Sequence, residues 1–488
     1  MNRHNLIPFY RPADGKVGDV MPCYFDGRFH IYYLRYGTTS DGRQDNEYSV
    51  IETTDFVHFS EDRRTQIYGG TGEIIKHGGK YHLFKCGGSM DGVTFMRHYV
   101  GDTPYAFRPE EDILPSDNSI YVPWAWRDPR IFWVEEEQCF WMLVATNRKT
   151  DSTVARNACI GLCKSEDLVH WRYCEPLFSP LALEGTYECP DMFRIGDWYY
   201  LTYGNANHNK MTHYVKGKSL YGPWIIPEDD TIDSFLFYAG RVATDGKHHY
   251  IAAWNADRTG ADLGMRLGLR DVEQCIQEPE EDFAPFGYAG HMVIHQLGQR
   301  ANGDLTCHPI PAVMEQYTYR LPREFEVLQG GEWSIDDRRI SVASEGGYAC
   351  ALAGELPEHH LLEMDIQASG REVGIALGAT KAFVKEGLFL RLQLNRGRLQ
   401  VMSGLREIGG FSGYCMPFAV EMEKFVHPDE QGLYHMTILQ DQDVLCVYIN
   451  GEALSIRSQN ARGGKLGLYA FNAKAVFNDI CIKEMKGE

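Results

Sequence analysis

Along the first 300 residues the hydrophobic and polar positions repeat one arrangement: an apolar strand, a short turn, then a strand alternating apolar and polar residues. Copies run from Tyr24 to Tyr33, Ile75 to Phe84, Phe132 to Val144, Phe193 to Leu201 and Thr244 to Ile251. Alternation has the strand period of two, and glycine tolerates the positive φ of a tight reversal, so each copy predicts a β-hairpin. The turn residues Gly27, Gly79, Gln138, Gly196 and Gly246 follow one another at steps of 52, 59, 58 and 50 residues. Such steps are close to the repeat length of a four-stranded propeller blade, and five copies predict five blades.

Most copies carry a second shared segment further on: Thr54 to Phe59, Ser165 to Trp171 and, more loosely, Ser219 to Trp224. It reads as the turn into each blade's outermost strand, with an aromatic residue packed between neighbouring blades. Beyond residue 300 the blade pattern stops. Pro309 and Pro311 punctuate a linker over 301–320, and from Leu321 to the end short alternating strands take over, such as Leu388 to Leu394 and Val444 to Ile449, the latter closed by an Asn450-Gly451 turn. The expected fold is all-β: a five-bladed β-propeller over 1–300 followed by an antiparallel β-sandwich over 321–488.

The repeat places candidate chemistry. Eight residues before the turn glycine stand Asp19, Thr71, Glu188 and Tyr238, and ten residues before the longer third turn stands Asp128. The first strand of a blade lines the central channel, so these five side chains are expected to ring one end of it. The three acids are expected to occupy matching places and share one site.

Composition narrows the ligand. A net charge of −19 without any Lys/Arg cluster argues against nucleic acid and against anionic membranes, and favours a neutral or cationic ligand. The opening residues Met1 to Pro8 lack the apolar core of a signal peptide, and no run reaches the roughly 20 apolar residues of a membrane span, so a cytoplasmic location is expected. Thirteen cysteines, mostly within apolar strands, read as reduced buried thiols. Cys159 and Cys163 are four apart, with no second pair to complete a metal site. No P-loop, dinucleotide fingerprint, zinc motif or nucleophile elbow is present, so no metal or cofactor is expected. The oligomeric state is open. His359 and His360, in the second domain, read as a solvated surface pair.

Three carboxylates at one channel mouth match the needs of glycosidic bond cleavage. One must be ionised to attack the anomeric carbon or activate water, one must be protonated to donate to the leaving oxygen, and a third can hold sugar hydroxyls and raise the acid's pKa. Tyr36, Trp124, Trp126, Tyr187, Tyr238 and Trp254 are nearby candidates for stacking on a sugar, Tyr238 and Trp254 foremost.

Arg127-Asp128-Pro129 and Glu188-Cys189-Pro190-Asp191 resemble the Arg-Asp-Pro and Glu-Cys motifs of glycoside hydrolase family 32, the invertases, levanases and inulinases. Phe237-Tyr238-Ala239 followed by Ala253-Trp254 is similar to that family's fifth-blade segment. The resemblance implies a β-fructosidase acting on sucrose or short fructo-oligosaccharides with retention. In it Asp19 is the nucleophile, Glu188 the acid/base, and Asp128 the stabiliser that binds fructosyl hydroxyls. Arg127 orients Asp128 or contacts the sugar, and Thr71 stands where the family has a small hydroxylated residue. The family's first motif, Trp-Met-Asn-Asp-Pro-Asn-Gly, is replaced by Lys16-Val17-Gly18-Asp19-Val20-Met21-Pro22, which keeps the acid and loses the Asn partners. An inverting arabinofuranosidase or xylosidase of the family 43 type, with Asp19 as base, is the alternative enzyme. A sugar-binding propeller without catalysis is the alternative of another class.

Overall fold

The computed structural model describes residues 9–150, 157–180, 185–205, 209–258, 287–322, 324–336, 338–381, 387–403 and 422–485; the opening segment Met1 to Pro8 lies outside them. The turn residues read from the sequence all adopt the left-handed conformation: φ is 76° at Gly27, 76° at Gly79, 52° at Gln138, 57° at Gly196 and 88° at Gly246. Each joins the first two strands of an antiparallel meander. These openings pair Lys16–Phe25 with Arg28–Thr38, Gly72–His77 with Lys80–Met90, Tyr121–Val134 with Cys139–Arg148, Glu188–Ile195 with Trp198–Gly204, and Tyr238–Thr244 with His249–Ala256.

The five first strands lie side by side in a closed ring, each touching the next and the last touching the first. The ring is sewn shut where Gly290 pairs with Val17, which merges the fifth and first units into one sheet. Phe9–Tyr10 strengthens the seam by pairing with Met292 and Val293.

The core of this propeller lies between units. Phe84 and Met96 pack with Trp126, Met142 and Leu168 at one junction, and Trp141 and Leu162 pack with Met192 and Leu201 at the next. The shared outer-strand segment is a side-chain-capped turn. Asp55 accepts from the amides of Val57 and His58 at 2.9 and 2.8 Å, and Asp167 accepts from Val169 and His170 at the same distances. The aromatic residues of these turns reach a neighbouring unit as expected: Phe56 meets Tyr250 at 4.4 Å between ring centres, and Trp171 meets Phe84 at 5.8 Å. Cys159 and Cys163 are buried in the junction core.

The second domain is an antiparallel sandwich. The long strand His359–Ala379 pairs along its first part with Leu433–Asp441 and along its second with Leu388–Gln393, so the sheet divides into two leaves there. Their apolar faces share one core that includes Ile375, Leu390, Val401, Ile438 and Val447.

Two expectations need correction. The stretch 301–320 is built into both domains: Leu305–His308 pairs with Gly290–Gln299, Pro311–Met314 makes a helical turn, and Tyr317–Arg320 pairs with Lys465–Met485. The two prolines that read as linker punctuation flank and open that turn. His359 and His360 are not both solvated. Strand alternation turns His359 outward to pair with Asp441 at 2.6 Å and turns His360 inward, where burial pushes its pKa down to about 4.

Buried polar contacts fasten the domains. Asp233 accepts from Ser455 N at 2.6 Å and from His295 Nε2 at 2.8 Å, and the Ser455 hydroxyl donates to it. Arg457, 1% exposed, donates to Asn255 Oδ1 at 3.0 Å and pairs with Asp443 at 2.9 Å. Replacing such an arginine leaves Asp443 charged and unpaired, which costs roughly 3–5 kcal/mol. Arg457→Leu is therefore expected to lower the guanidinium unfolding midpoint by that equivalent, while Arg338→Leu, on the exposed Asp479 pair, leaves it within about 0.5 kcal/mol.

Candidate active site

The channel mouth is shaped by a bulge repeated in four of the five first strands. Register slips between Val17 and Val20, Arg127 and Arg130, Glu188 and Asp191, and Tyr238 and Arg241, so two residues face one across the ladder. In the last three the first bulged residue is left-handed: Asp128 at φ 55°, Cys189 at 47° and Ala239 at 59°. A side chain in that region costs about 1–2 kcal/mol, so three copies at one level are strain concentrated at a site. Pro129 and Pro190 occupy the second bulged position, where a residue without an N–H leaves no ladder donor unpaired.

The bulges correct the expected equivalence of the three acids. Glu188 is the last paired residue before its bulge, level with Arg127 and Tyr238; Asp128 is a first bulged residue; Asp19 is a second. The hairpins beyond the bulges differ in length, so the count of eight lands on a second bulged residue at Asp19 and on a last paired residue at Glu188, and the count of ten lands on a first bulged residue at Asp128. The acids nevertheless converge because their side chains are turned toward one point by these different backbone steps.

Asp19 accepts from the Thr71 hydroxyl on Oδ2 and from Trp254 Nε1 on Oδ1 at 2.8 Å, with the Cys189 thiol 3.8 Å from Oδ2. A carboxylate has about four acceptor positions, so these donors fix its orientation and leave room for a reacting partner. Burial raises its pKa, Thr71 and Trp254 lower it, and Glu188 raises it again. Glu188 accepts from Arg127 Nη2 at 2.7 Å on one oxygen and from the Tyr238 hydroxyl at 2.6 Å on the other. Gly204, opposite Glu188, admits that ring: a Cβ there would lie 2.9 Å from Tyr238 Cζ. Asp128 receives the Cys189 amide at 3.2 Å and lies 3.7 Å from Arg127 Nε. Burial first, then the charges of Glu188 and Asp19 against Arg127, pushes it up to about 6.

All seven residues expected from the sequence, Asp19, Thr71, Arg127, Asp128, Glu188, Tyr238 and Trp254, thus meet in one contact network, joined where the Tyr238 ring meets that of Trp254. Three of the other four aromatic candidates go elsewhere. Trp126 and Tyr187 are buried between units, and Trp124 is 71% exposed.

Sequence reasoning missed the layer beneath. Arg130, Asp191 and Arg241 are the first paired residues after their bulges, and Glu73 enters from the second unit. Arg130 binds Asp191 at 2.7 Å and Glu73 at 2.8 Å; Arg241 donates to Gly72 O at 2.6 Å and to Asp128 O at 3.0 Å and approaches Glu73 at 3.5 Å. Asp191 also accepts the Val242 amide at 2.7 Å. The proline of each motif marked the bulge, and the charged residue after it marked this floor. Tyr288 was also missed; its ring lies edge-on to Trp254 at 5.3 Å.

Residues 20–259 match the family model for the glycosyl hydrolases family 32 N-terminal domain. A levanbiose-producing levanase of Bacillus subtilis (strain 168) is 23% identical over 273 residues, covering 52% of this chain and 45% of the levanase, so the chain spans about half the length of that relative. Fructan 1-exohydrolase IIa from Cichorium intybus is similar in fold, with a TM-score of 0.69 at 14% identity over 98% of this chain and 97% of its own. Sucrose-6-phosphate hydrolase from Lactobacillus gasseri gives 0.68 at 14% identity over 99% and 93%.

The raised Asp128 has a signed consequence. Its folded pKa of about 6 exceeds the ordinary 3.8, so the folded state holds the proton more tightly and loses stability as pH rises from 3.8 to 6. The loss, about 3 kcal/mol, is complete above pH ~6 and absent below pH ~4. Asp128→Asn is expected to raise Tm above the parent's at pH 7.5, with the gap closing by pH 4, as differential scanning fluorimetry would read.

Proposed function

The chain carries a glycosyl hydrolases family 32 N-terminal domain, and from that premise we propose that it is a retaining β-fructofuranosidase. Its substrates in this reading are sucrose or short fructo-oligosaccharides, from which it removes the terminal fructosyl residue. The observation that carries the proposal is the pairing of two differently held carboxylates at one mouth. Asp19 is oriented by Thr71 and Trp254, and Glu188 is gripped by Arg127 and Tyr238.

In the first step an Asp19 oxygen attacks the anomeric carbon as the glycosidic bond breaks, and protonated Glu188 gives its proton to the departing oxygen. The leaving sugar takes the bonding pair and that proton. Glu188, now a carboxylate, accepts a proton from water, whose oxygen attacks the same carbon and frees Asp19. Two inversions give retention. Arg127 and Tyr238 stabilise the Glu188 carboxylate that forms in the first step. Asp128 accepts hydrogen bonds from sugar hydroxyls, held in place by the Cys189 amide. Trp254 and Tyr238, with ring centres 5.6 Å apart and planes at 76°, wall the pocket on the fifth unit's side.

The reading predicts fructose release from sucrose, kestose and short levan or inulin oligomers. Asp19→Asn and Glu188→Gln should each lower kcat by at least about 10³-fold, since removing a nucleophile or acid/base withdraws effects of that size. Nuclear magnetic resonance of the first product should show the β-anomer. Release of arabinose or xylose with inversion, and none of fructose, would replace the proposal with the inverting alternative.

A further inference from the structure

Gly18, the residue before Asp19, lies where any side chain would collide with a tyrosine far along the chain. A Cβ there would be 2.3 Å from the Tyr288 hydroxyl oxygen, 2.8 Å from its Cζ and 3.1 Å from Leu34 O. The backbone of Asp19 hydrogen-bonds that hydroxyl, and burial followed by the charge of Asp19 holds the phenol well above its ordinary pKa, so it remains protonated. With the Asp19 backbone occupying one acceptor position, the O–H is a donor beside the proposed nucleophile. The ring is equally placed. It stands edge-on to Trp254 at 5.3 Å and 70° and to Tyr36 at 5.3 Å and 85°, extending the line of rings that begins at Tyr238. Tyr288 is part-buried within that line of rings.

We propose that Tyr288 is a substrate-contacting, specificity-determining residue, whose hydroxyl fills the space left by Gly18 and donates to a hydroxyl of the terminal sugar bound at Asp19. The inference rests on the fructosidase reading and deepens it. Position 18 holds Asn in the motif this chain departs from, and here a polar group from another unit takes that space. The ring narrows the pocket on the side of the first and fifth units, and the hydroxyl supplies one directed donor. A pocket built to hydrogen-bond a particular hydroxyl discriminates against the sugar that lacks it.

The test uses the full chain and monodeoxy analogues of the sucrose fructosyl ring. Tyr288→Phe keeps the ring and removes both the sugar contact and the acceptor of the Asp19 backbone, so KM should rise about five- to tenfold for the lost sugar contact, with a drop in Tm from the unpaired Asp19 amide. One deoxy position whose penalty is seen with the parent should lose that penalty with Tyr288→Phe; a purely structural tyrosine would not produce this. Gly18→Asn alone should abolish turnover through the collision, and Gly18→Asn with Tyr288→Ala should recover part of it with an altered ranking of sugars. An unchanged KM and deoxy profile in Tyr288→Phe, or parent-like activity of Gly18→Asn, overturns the inference while leaving the fructosidase reading intact. A parent that releases no fructose overturns both.

Discussion

Everything at the channel mouth stands on the ionic floor made by Arg130, Glu73, Arg241 and Asp191. Four ionised groups at the centre of a propeller would carry a desolvation cost of several kcal/mol each if left unpaired. Here signs alternate and net charge cancels, and the remaining polar positions are taken by backbone: Gly72 O and Asp128 O by Arg241, Val242 O by Arg130, and the Val242 amide by Asp191. Because each ion binds a different unit, the floor does more than fill the channel. It fixes the first strands of the second to fifth units at relative heights, and those heights decide where the third and fourth bulges release Asp128 and Glu188. Burial pushes Glu73 up while Arg130 and Arg241 pull it down, so its charge depends on both arginines remaining in place. Removing one member would leave an uncompensated ion directly under Asp128.

Above the floor, geometry is obtained at the expense of backbone strain and of charge crowding. Left-handed Asp128 and Cys189 are held by each other, since the Cys189 amide that the bulge turns outward is the donor Asp128 receives. Asp19, Asp128 and Glu188 repel one another in a desolvated space; the Arg127 guanidinium lies between Glu188 and Asp128, and Arg241 beneath draws on Asp19 and Asp128. Such crowding is how similar carboxyls come to differ in proton affinity, which acid/base chemistry requires. The site is therefore less stable than an apolar plug would be, and that instability is localised by the rigid hairpins beneath it.

The parts of this architecture legible in the chain are those set by short-range rules. Gly27, Gly79, Gly196 and Gly246 declare their turns because the left-handed region selects glycine, and even Gln138, which has no such advantage, was placed by the alternation around it. The acids were found because the repeat is regular enough to count on. The count could not resolve the bulges, for inserting one residue into a strand leaves the hydrophobic pattern beyond it nearly intact. Asp191 stands inside the Glu-Cys motif and Arg130 directly after Arg-Asp-Pro, yet their pairing escaped notice because pairing across units is invisible to local pattern. Tyr288 lies 270 residues beyond Gly18, and the only trace of their contact is a glycine where a strand prefers a side chain. His360 escaped because two adjacent histidines look alike until alternation assigns one to each face.

The sandwich has a more specific place in this picture than a buttress. One of its strands, Glu452–Arg457, grips two separate pieces of the fifth unit. Ser455 binds Asp233, and Ser234 donates back to Ser455 O at 2.6 Å, which anchors the segment running into Tyr238. Arg457 binds Asn255, the residue after Trp254. Tyr238 and Trp254 are the very donors that hold Glu188 and Asp19. The fifth unit is also the one that meets the first at the ring's seam, where few backbone hydrogen bonds join them. A seam needs an external clamp if its side chains are to stay within the few tenths of an ångström that reacting groups tolerate. By fastening both segments from behind, the second domain supplies that clamp, and the two carboxylates owe part of their orientation to it.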